Sequence, residues 1–330
     1  MTGQRILFIG GTGIISSACA RRAVAAGHQV SLLNRGSTAH RPVPPEAERL
    51  RADVHDPASV RAAVAGREFD VVVQFLAFTP DQVQSDVDTF AGRTGQYVFI
   101  SSASAYQKPP RRVPVTESTP LHNPFWQYSR YKIACEELLL AAYRERDFPV
   151  TVVRPSHTYD RTSVPIEGGW TQIDRMRRGL EVVVHGDGTS LWTLTHHEDF
   201  AKAFVGLLGH TRTIGEAYTI TGEDVLTWNQ IFTLLGTAAG VPEPRLVHVP
   251  SELIAEVDSR WGPGLLGDKS HSMIFDNTKV KGIVPDYVAT IPFEQGAREI
   301  VAWHDEDESH RAIDPRTNDT VEQLLKRLRG

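Results

Sequence analysis

The sequence predicts an α/β fold: a doubly wound parallel sheet with helices on both faces, followed by a smaller C-terminal lobe. Three observations predict it. Strand-like and helix-like runs alternate over residues 6–155, the pattern of a parallel sheet assembled from βαβ units. The first strand runs into a glycine-rich turn, Gly10-Gly11-Thr12-Gly13. Residues 69–76 are nearly all apolar, as a strand buried on both faces must be.

Residues 6–9 form the first predicted strand, and a helix-like run over residues 17–26 is closed by Gly27. Between them the spacing is Gly10-x-x-Gly13-x-x-Ser16. Such a turn admits a close backbone approach and offers the free N–H groups of a helix start to a phosphate, so Gly10, Gly13 and Ile15 are candidate cofactor contacts. A purely structural turn is the competing reading. Residues 28–33 are the second strand, ending in Asn34-Arg35-Gly36. An acidic residue at that strand end grips an adenosine ribose, whereas a guanidinium pairs with a 2′-phosphate. Asn34 and Arg35 therefore favour NADP over NAD, against a solvated loop arginine. After a proline-rich loop at residues 42–45, residues 50–54 read as the third strand and 57–66 as a helix. Thr79-Pro80 opens another helix with Val83, Val87 and Phe90 on one face and polar residues on the other. Residues 96–100 are a buried strand leading into Ser101-Ser102-Ala103-Ser104-Ala105-Tyr106, and residues 150–155 a sixth strand.

Between these two strands lies Tyr128-Ser129-Arg130-Tyr131-Lys132, opening a run with Ile133, Leu138, Leu139 and Tyr143 at helical spacing. Residues four apart share a helix face, so Tyr128 and Lys132 point at one spot. An ammonium beside a phenol favours phenolate, which makes Tyr128 a general acid/base with Lys132 as its electrostatic tuner. The alternative is an incidental pair on a helix surface. Catalytic groups collect at the carboxyl ends of parallel strands, where Ser102 stands.

Composition narrows the function classes. With 330 residues the chain is long enough for one large α/β domain with a cap. No apolar run approaches the ~20 residues of a membrane span, and the first residues lack a secretory h-region, so a cytoplasmic location is expected. Cys19 and Cys135 fall in separate helical units, which supports neither a disulfide framework nor a metal site. A formal charge of −5 disfavours nucleic acid as a partner.

Taken in order, these pieces resemble the extended short-chain dehydrogenase/reductase family, over residues 6–222. The resemblance rests on the Gly10/Gly13 turn, Ser102, Tyr128/Lys132, Arg154-Pro155 with Tyr159, and Gly186-Asp187-Gly188 ahead of His196-His197-Glu198-Asp199. It implies a Rossmann-type dinucleotide-binding domain at residues 1–160, with 193–212 returning to it. Residues 161–192 and 213–330 would form the substrate-binding lobe. It further implies that Ser102 holds the reacting oxygen, Tyr128 exchanges its proton, and Lys132 holds the nicotinamide ribose. Asp53 and Val54 fall near the adenine, and His157 in the loop after Arg154-Pro155 near the cofactor. Ser104 and Trp192 would meet the substrate. His196 and Asp199 take structural roles at a strand-to-helix junction, not a metal.

Departures from the family pattern are informative. The family's sugar 4,6-dehydratases place Asp and Glu after the catalytic hydroxyl residue; this chain has Ala103 and Ser104, which cannot serve as that acid and base. Nucleotide-sugar enzymes usually carry an arginine for the substrate diphosphate where this chain has Trp192, and many relatives carry asparagine where it has His157. Arg175, Arg177, Arg178 and Arg260 are possible replacements. The expectation is an NAD(P)-dependent oxidoreductase acting at a secondary alcohol or ketone of a carbohydrate-like or cyclic polyol. The alternatives are a sugar or nucleotide-sugar epimerase with retained NAD(P), and an RNA-binding relative. A homodimer through the helices near Thr79 and Tyr128 is open to it. Residues 251–272 should form a loop over the site, and Val321, Leu324, Leu325 and Leu328 a terminal amphipathic helix.

Overall fold

The computed structural model describes residues 3–36 and 41–330. Six strands form in chain order: β1 (Arg5–Ile9), β2 (Gln29–Asn34), β3 (Glu48–Arg51), β4 (Phe69–Gln74), β5 (Thr94–Ile100) and β6 (Val150–Pro155). A seventh, Ala217–Ile220, pairs in parallel with β6, placing Ala217 opposite Val152. The sheet order is Ala217–Ile220, β6, β5, β4, β1, β2, β3. Ile6 pairs with Val30 on one side and Val71 on the other. The order reverses between β1 and β4, which opens a crevice at the carboxyl ends of the strands. The seventh strand lies in the stretch that the sequence assigned to the lobe; its four residues sit beyond the regular alternation that marks the first six.

Alternation along β1 builds two apolar layers. Ile6 and Phe8 pack with the helix α1 (Ile14–Ala25) and with Phe200 and Phe204 of the helix His197–Leu207. Leu7 and Ile9 face the opposite layer, with α2 (Pro57–Ala63), α3 (Pro80–Phe90) and α4 (Gln127–Arg146). β3 ends at Arg51, earlier than the sequence suggested. Its chain turns there because the Asp53 carboxylate accepts the His55 N–H at 3.0 Å, and the Asp56 carboxylate accepts that of Ala58 to cap α2.

α4 buries a different face from the one its apolar spacing marks. Ser129, Lys132, Cys135, Glu136, Leu139 and Ala142 are buried, while Tyr143 is exposed. The sheet-facing side is polar because its groups have partners there. Glu136 pairs with Arg154 at 2.5 Å and accepts a hydrogen bond from Ser101. Arg154 also donates to the Tyr106 hydroxyl at 3.1 Å, which meets Thr219 of the seventh strand at 2.6 Å.

A second apolar centre forms the lobe, around Trp170, Ile173, Trp192, Trp228, Ile231 and Ile300. Thr227 starts the helix Trp228–Ala238 through a capping box with Gln230. The C-terminal helix Pro315–Arg329 buries Val321, Leu324 and Leu325 against Val183, Ile254 and Trp261. Leu328 is exposed, one turn beyond that contact. Residues 251–272 are helical where a loop was expected: Ser251–Val257, Gly262–Gly264 and a wide turn, Leu265–Lys269, closed by Ser270 N–H donating to Leu265 O at 3.0 Å. Among the described residues no helix is long and apolar enough to cross a membrane.

α3 buries Val83, Val87 and Phe90 as its pattern requires, and with them Asp86, which lies on the same side three residues after Val83 and four before Phe90. One Asp86 oxygen accepts from Tyr97 at 2.6 Å and from Gln74 at 2.7 Å. Burial pushes the Asp86 carboxyl up to about 6. The folded state then holds a proton that the unfolded chain has released, so this contribution to stability is full below about pH 4 and is lost as the pH rises through about 6. Asp86→Asn should remove that slope. Urea denaturation of variant against wild type should show a relative gain on the order of 3 kcal/mol between pH 4 and pH 8.

Candidate active site

The crevice begins at the glycine turn. Gly10 and Gly11 have φ of +117° and +101°, values that side chains disfavour. A Cβ on Gly11 would stand 2.7 Å from Leu32 Cδ2, so the close approach of turn to strand excludes any larger residue. Gly13 N–H donates to Ser16 Oγ at 2.8 Å. The serine in the place of a third glycine thus caps the turn with its hydroxyl. Ile15 follows, half-buried, in the first turn of α1.

Beyond β2 and β3 a cavity of about 610 Å³ is lined by Thr12, Asn34, Arg35, Gly36, Arg41, Arg49 and Arg51. Asn34 Oδ1 accepts the Gly36 N–H at 2.9 Å and bends the chain there. Arg41 is committed to Asp160 at 2.5 Å and Thr162 at 2.6 Å. Arg49 and Arg51 were not singled out from the sequence. They flank buried Leu50 on β3, and that alternation was the available signal. At the end of β4 a cavity of about 160 Å³ holds Val54 with His55, Gln74, Ala77 and Asp86. Asp53 lies beside it with its carboxylate turned back to the backbone.

The third cavity, about 270 Å³, lies past β5 and β6. It gathers Ser102, Ser104, Tyr128, His157 and Trp192, which the sequence nominated separately. Ser102 Oγ meets Ser104 Oγ at 2.9 Å, and Ser129 donates to Ser104 at 2.8 Å. Trp192 Nε1–H donates to His157 Nδ1 at 3.1 Å. The wall also includes Trp126, Asp268, Lys269 and Phe275. Asp268 pairs with the fully buried Lys108 at 2.9 Å, and Lys269 with Glu167 at 3.0 Å. Lys108 gave no sequence signal, since its partner lies far along the chain and a lone lysine reads as solvated.

The Tyr128–Lys132 pair differs from expectation. Lys132 is buried, and its ammonium donates to Ala77 O and Ile100 O, each at 2.8 Å. It stands 4.7 Å from the ring centres of Phe78 and Phe99 and 5.9 Å from that of Tyr128. Burial pulls Lys132 down to about 8. The Tyr128 phenol is raised, not lowered: burial, with the Asp268 carboxylate, outweighs the opposing effect of the nearby Ser102 hydroxyl. In this arrangement the Lys132 ammonium is held by two carbonyls. Two of its three N–H donors are used, which leaves one.

None of the arginines considered as a diphosphate clamp lines this cavity. Arg175 is paired with Glu322, Arg177 with Asp305, Arg178 with Asp174 and Arg260 with Asp258. His196 caps the following helix by accepting the Glu198 N–H at 3.2 Å, and Asp199 accepts the N–H groups of Thr290 and Ile291. Trp261 packs in the C-terminal cluster, away from the cavity. A further cavity of about 520 Å³ around Arg5, Asp70 and Gly95 lies at the amino ends of the strands, opposite this site.

The profile described as the NAD dependent epimerase/dehydratase family matches residues 6–221. The chloroplast stem-loop binding protein of 41 kDa b of Arabidopsis thaliana is 28% identical over 260 residues, covering 74% of this chain and 66% of that protein. A UDP-glucose 4-epimerase of Lactobacillus helveticus is 29% identical over 305 residues, covering 85% of this chain and 91% of its own. Among solved structures, an epimerase from the methanogen Methanothermobacter thermautotrophicus superposes with a TM-score of 0.76 at 16% identity, over 94% of each chain.

Asn123, buried, ties this site together. Its amide donates to Ser104 O at 2.9 Å and to Gly267 O at 2.7 Å, and its oxygen accepts the N–H groups of Phe125 and Trp126 ahead of α4. Asn123→Ala leaves those carbonyls without a donor. It should cost on the order of 2–3 kcal/mol in urea denaturation and speed protease cleavage within residues 258–272.

Proposed function

This chain belongs to the NAD dependent epimerase/dehydratase family, and on that premise we propose that it transfers hydride at a secondary alcohol or ketone of a carbohydrate-like or cyclic polyol. The observation that carries the reading is the gathering of Ser102, Ser104 and Tyr128 on the wall of one 270 Å³ cavity at the carboxyl ends of the strands, with Ser102 Oγ 2.9 Å from Ser104 Oγ. The residues present fit a dinucleotide. Gly10 and Gly11 form a turn whose positive φ disfavours side chains and whose neighbours stand close, and the cavities of Asn34/Arg35, Val54/Ala77 and Tyr128 follow one another along the carboxyl edge of the sheet. When bound, the nicotinamide supplies the hydride acceptor or donor. Ser102 holds the reacting oxygen and Tyr128 exchanges the proton with it. The free N–H of Lys132 is available to a ribose hydroxyl.

The size and charge of the cavity support the substrate class. At about 270 Å³ it falls just below the roughly 300–1,000 Å³ of typical ligand cavities, so a single ring suits it better than a nucleotide-linked sugar. Its two charged wall groups are each neutralised, Asp268 by Lys108 and Lys269 by Glu167. No arginine stands among its lining residues. Trp126, Trp192 and Phe275 offer apolar surface to the carbon face of a ring. Ala103 and Ser104 leave no acid–base pair at the strand end for elimination.

Likeness to the Lactobacillus epimerase over most of both chains favours a second reading, an epimerase that retains its dinucleotide. Stem-loop binding, named for the Arabidopsis relative, is disfavoured by the net charge of −5.

With added NADP and a panel of polyols and sugars, wild type should change the near-ultraviolet absorbance of nicotinamide. Tyr128→Phe should abolish the change while still binding the dinucleotide. Turnover without added cofactor and without an absorbance change would establish the epimerase instead. Arg35, Arg49 and Arg51 support NADP over NAD. Arg35→Ala or Arg51→Ala should weaken NADP binding about tenfold or more and leave NAD binding nearly unchanged, as read by calorimetry.

A further inference from the structure

His157 and Trp192 were noted in the sequence as two separate departures, yet the fold joins them. The Trp192 Nε1–H donates to His157 Nδ1 at 3.1 Å, with ring centroids 6.1 Å apart and the planes at 80°. Trp192 is itself fixed: it is almost fully buried and packs against Trp228 at 5.2 Å. An indole can only donate, so Nδ1 must accept, and the neutral imidazole then carries its hydrogen on Nε2. Both rings line the cavity that holds Tyr128 and Ser102. Burial, with the Lys269 ammonium nearby, pulls His157 down to about 3, so the ring is neutral at any working pH. The other charges facing it, Asp268 and Lys269, are paired with Lys108 and Glu167.

We propose that Trp192 and His157 form one specificity-determining unit, in which the indole fixes the imidazole tautomer so that Nε2–H is a permanent donor to an oxygen of a neutral polyol held beside Tyr128. This rests on the polyol reading given above. A neutral donor needs no counter-charge on its ligand, unlike a guanidinium, so it suits a hydroxyl or carbonyl oxygen and gives no advantage to a phosphate. An analogue lacking that oxygen leaves the buried N–H unpaired, and sites of this kind discriminate strongly on that ground.

The tautomer is read without any turnover, by long-range proton–nitrogen NMR on protein labelled at histidine nitrogen. Wild type should show His157 protonated on Nε2 only, unchanged from pH 5 to pH 8. Trp192→Phe keeps an aromatic ring but removes the donor. Its His157 signal should become a mixture of the two neutral tautomers, while burial still keeps the ring from titrating between pH 5 and pH 8. A wild-type His157 protonated on Nδ1, or titrating in that range, overturns the proposal whatever the enzyme's activity.

Selectivity is read as the ratio of kcat/KM, or of calorimetric affinity with NADP present, for myo-inositol over its deoxy analogue quercitol. Wild type should favour the full polyol about tenfold or more. Trp192→Phe and His157→Ala should level the ratio, and His157→Gln, whose amide can place an N–H near the Nε2 position, should restore part of it. A purely structural role for His157 would not be rescued in that way. Equal ratios in wild type and Trp192→Phe, or no discrimination by wild type, overturn the proposal. Loss of the absorbance change alone, with the tautomer fixed and the affinity ratio intact, would count against the hydride reading and not against this one.

Discussion

The buried ammonium of Lys132 is the constraint on which the site depends. It satisfies two carbonyls, Ala77 O beyond β4 and Ile100 O at the end of β5. α4 is thereby fixed over the carboxyl edge of the sheet with Tyr128 one turn earlier. Burying a cation is costly, and the fall of Lys132 to about 8 is the sign of that cost. Charge-assisted bonds to two carbonyls and the faces of Phe78 and Phe99 offset it. The lysine therefore acts first as a structural rivet between two strands and a helix. It also sets where Tyr128 stands, while burial raises the phenol.

The sheet was legible in the sequence because its signal is local. Alternation of apolar strands and amphipathic helices is written in short windows, and Gly10 and Gly11 stand where the backbone adopts positive φ. Ser102, Tyr128 and Trp192 were nominated with the help of a family resemblance, and the fold brings them to one cavity. What could not be read is what depends on partners far along the chain. Lys108 and Asp268, or Asn123 and Gly267, meet only after the lobe has folded over the sheet. The buried face of α4 was misread for the same reason. Glu136 is interior only because Arg154 of β6 waits for it, and no periodicity within α4 carries that information. Asp86 likewise is interior because Gln74 and Tyr97 supply its donors.

The lobe contributes more than a cover. Its wide turn at Leu265–Lys269 brings a carboxylate and an ammonium to the cavity wall, and each arrives already neutralised by a buried or half-buried partner. A pair of opposite charges held apart in this way leaves the cavity polar without net charge. Such a surface can bond hydroxyls in either direction and has little attraction for a diphosphate. The arginines that could have changed this balance are taken up in ion pairs elsewhere.

Anion-binding capacity is instead concentrated at the other end of the crevice. Arg35, Arg49 and Arg51 surround the cavity beyond β2 and β3, while the region around Tyr128 is built from aromatic rings, hydroxyls and paired charges. On the function proposed above, one end would take phosphate and the other uncharged oxygen, so a ligand carrying both would enter in one orientation. The asymmetry follows from two local arrangements: alternation around Leu50 sets the arginines on one edge, and the Trp192–His157 contact places two neutral rings at the other. The fold supplies a crevice of the same shape to every chain that adopts it. The side chains at its two ends decide what this one can hold.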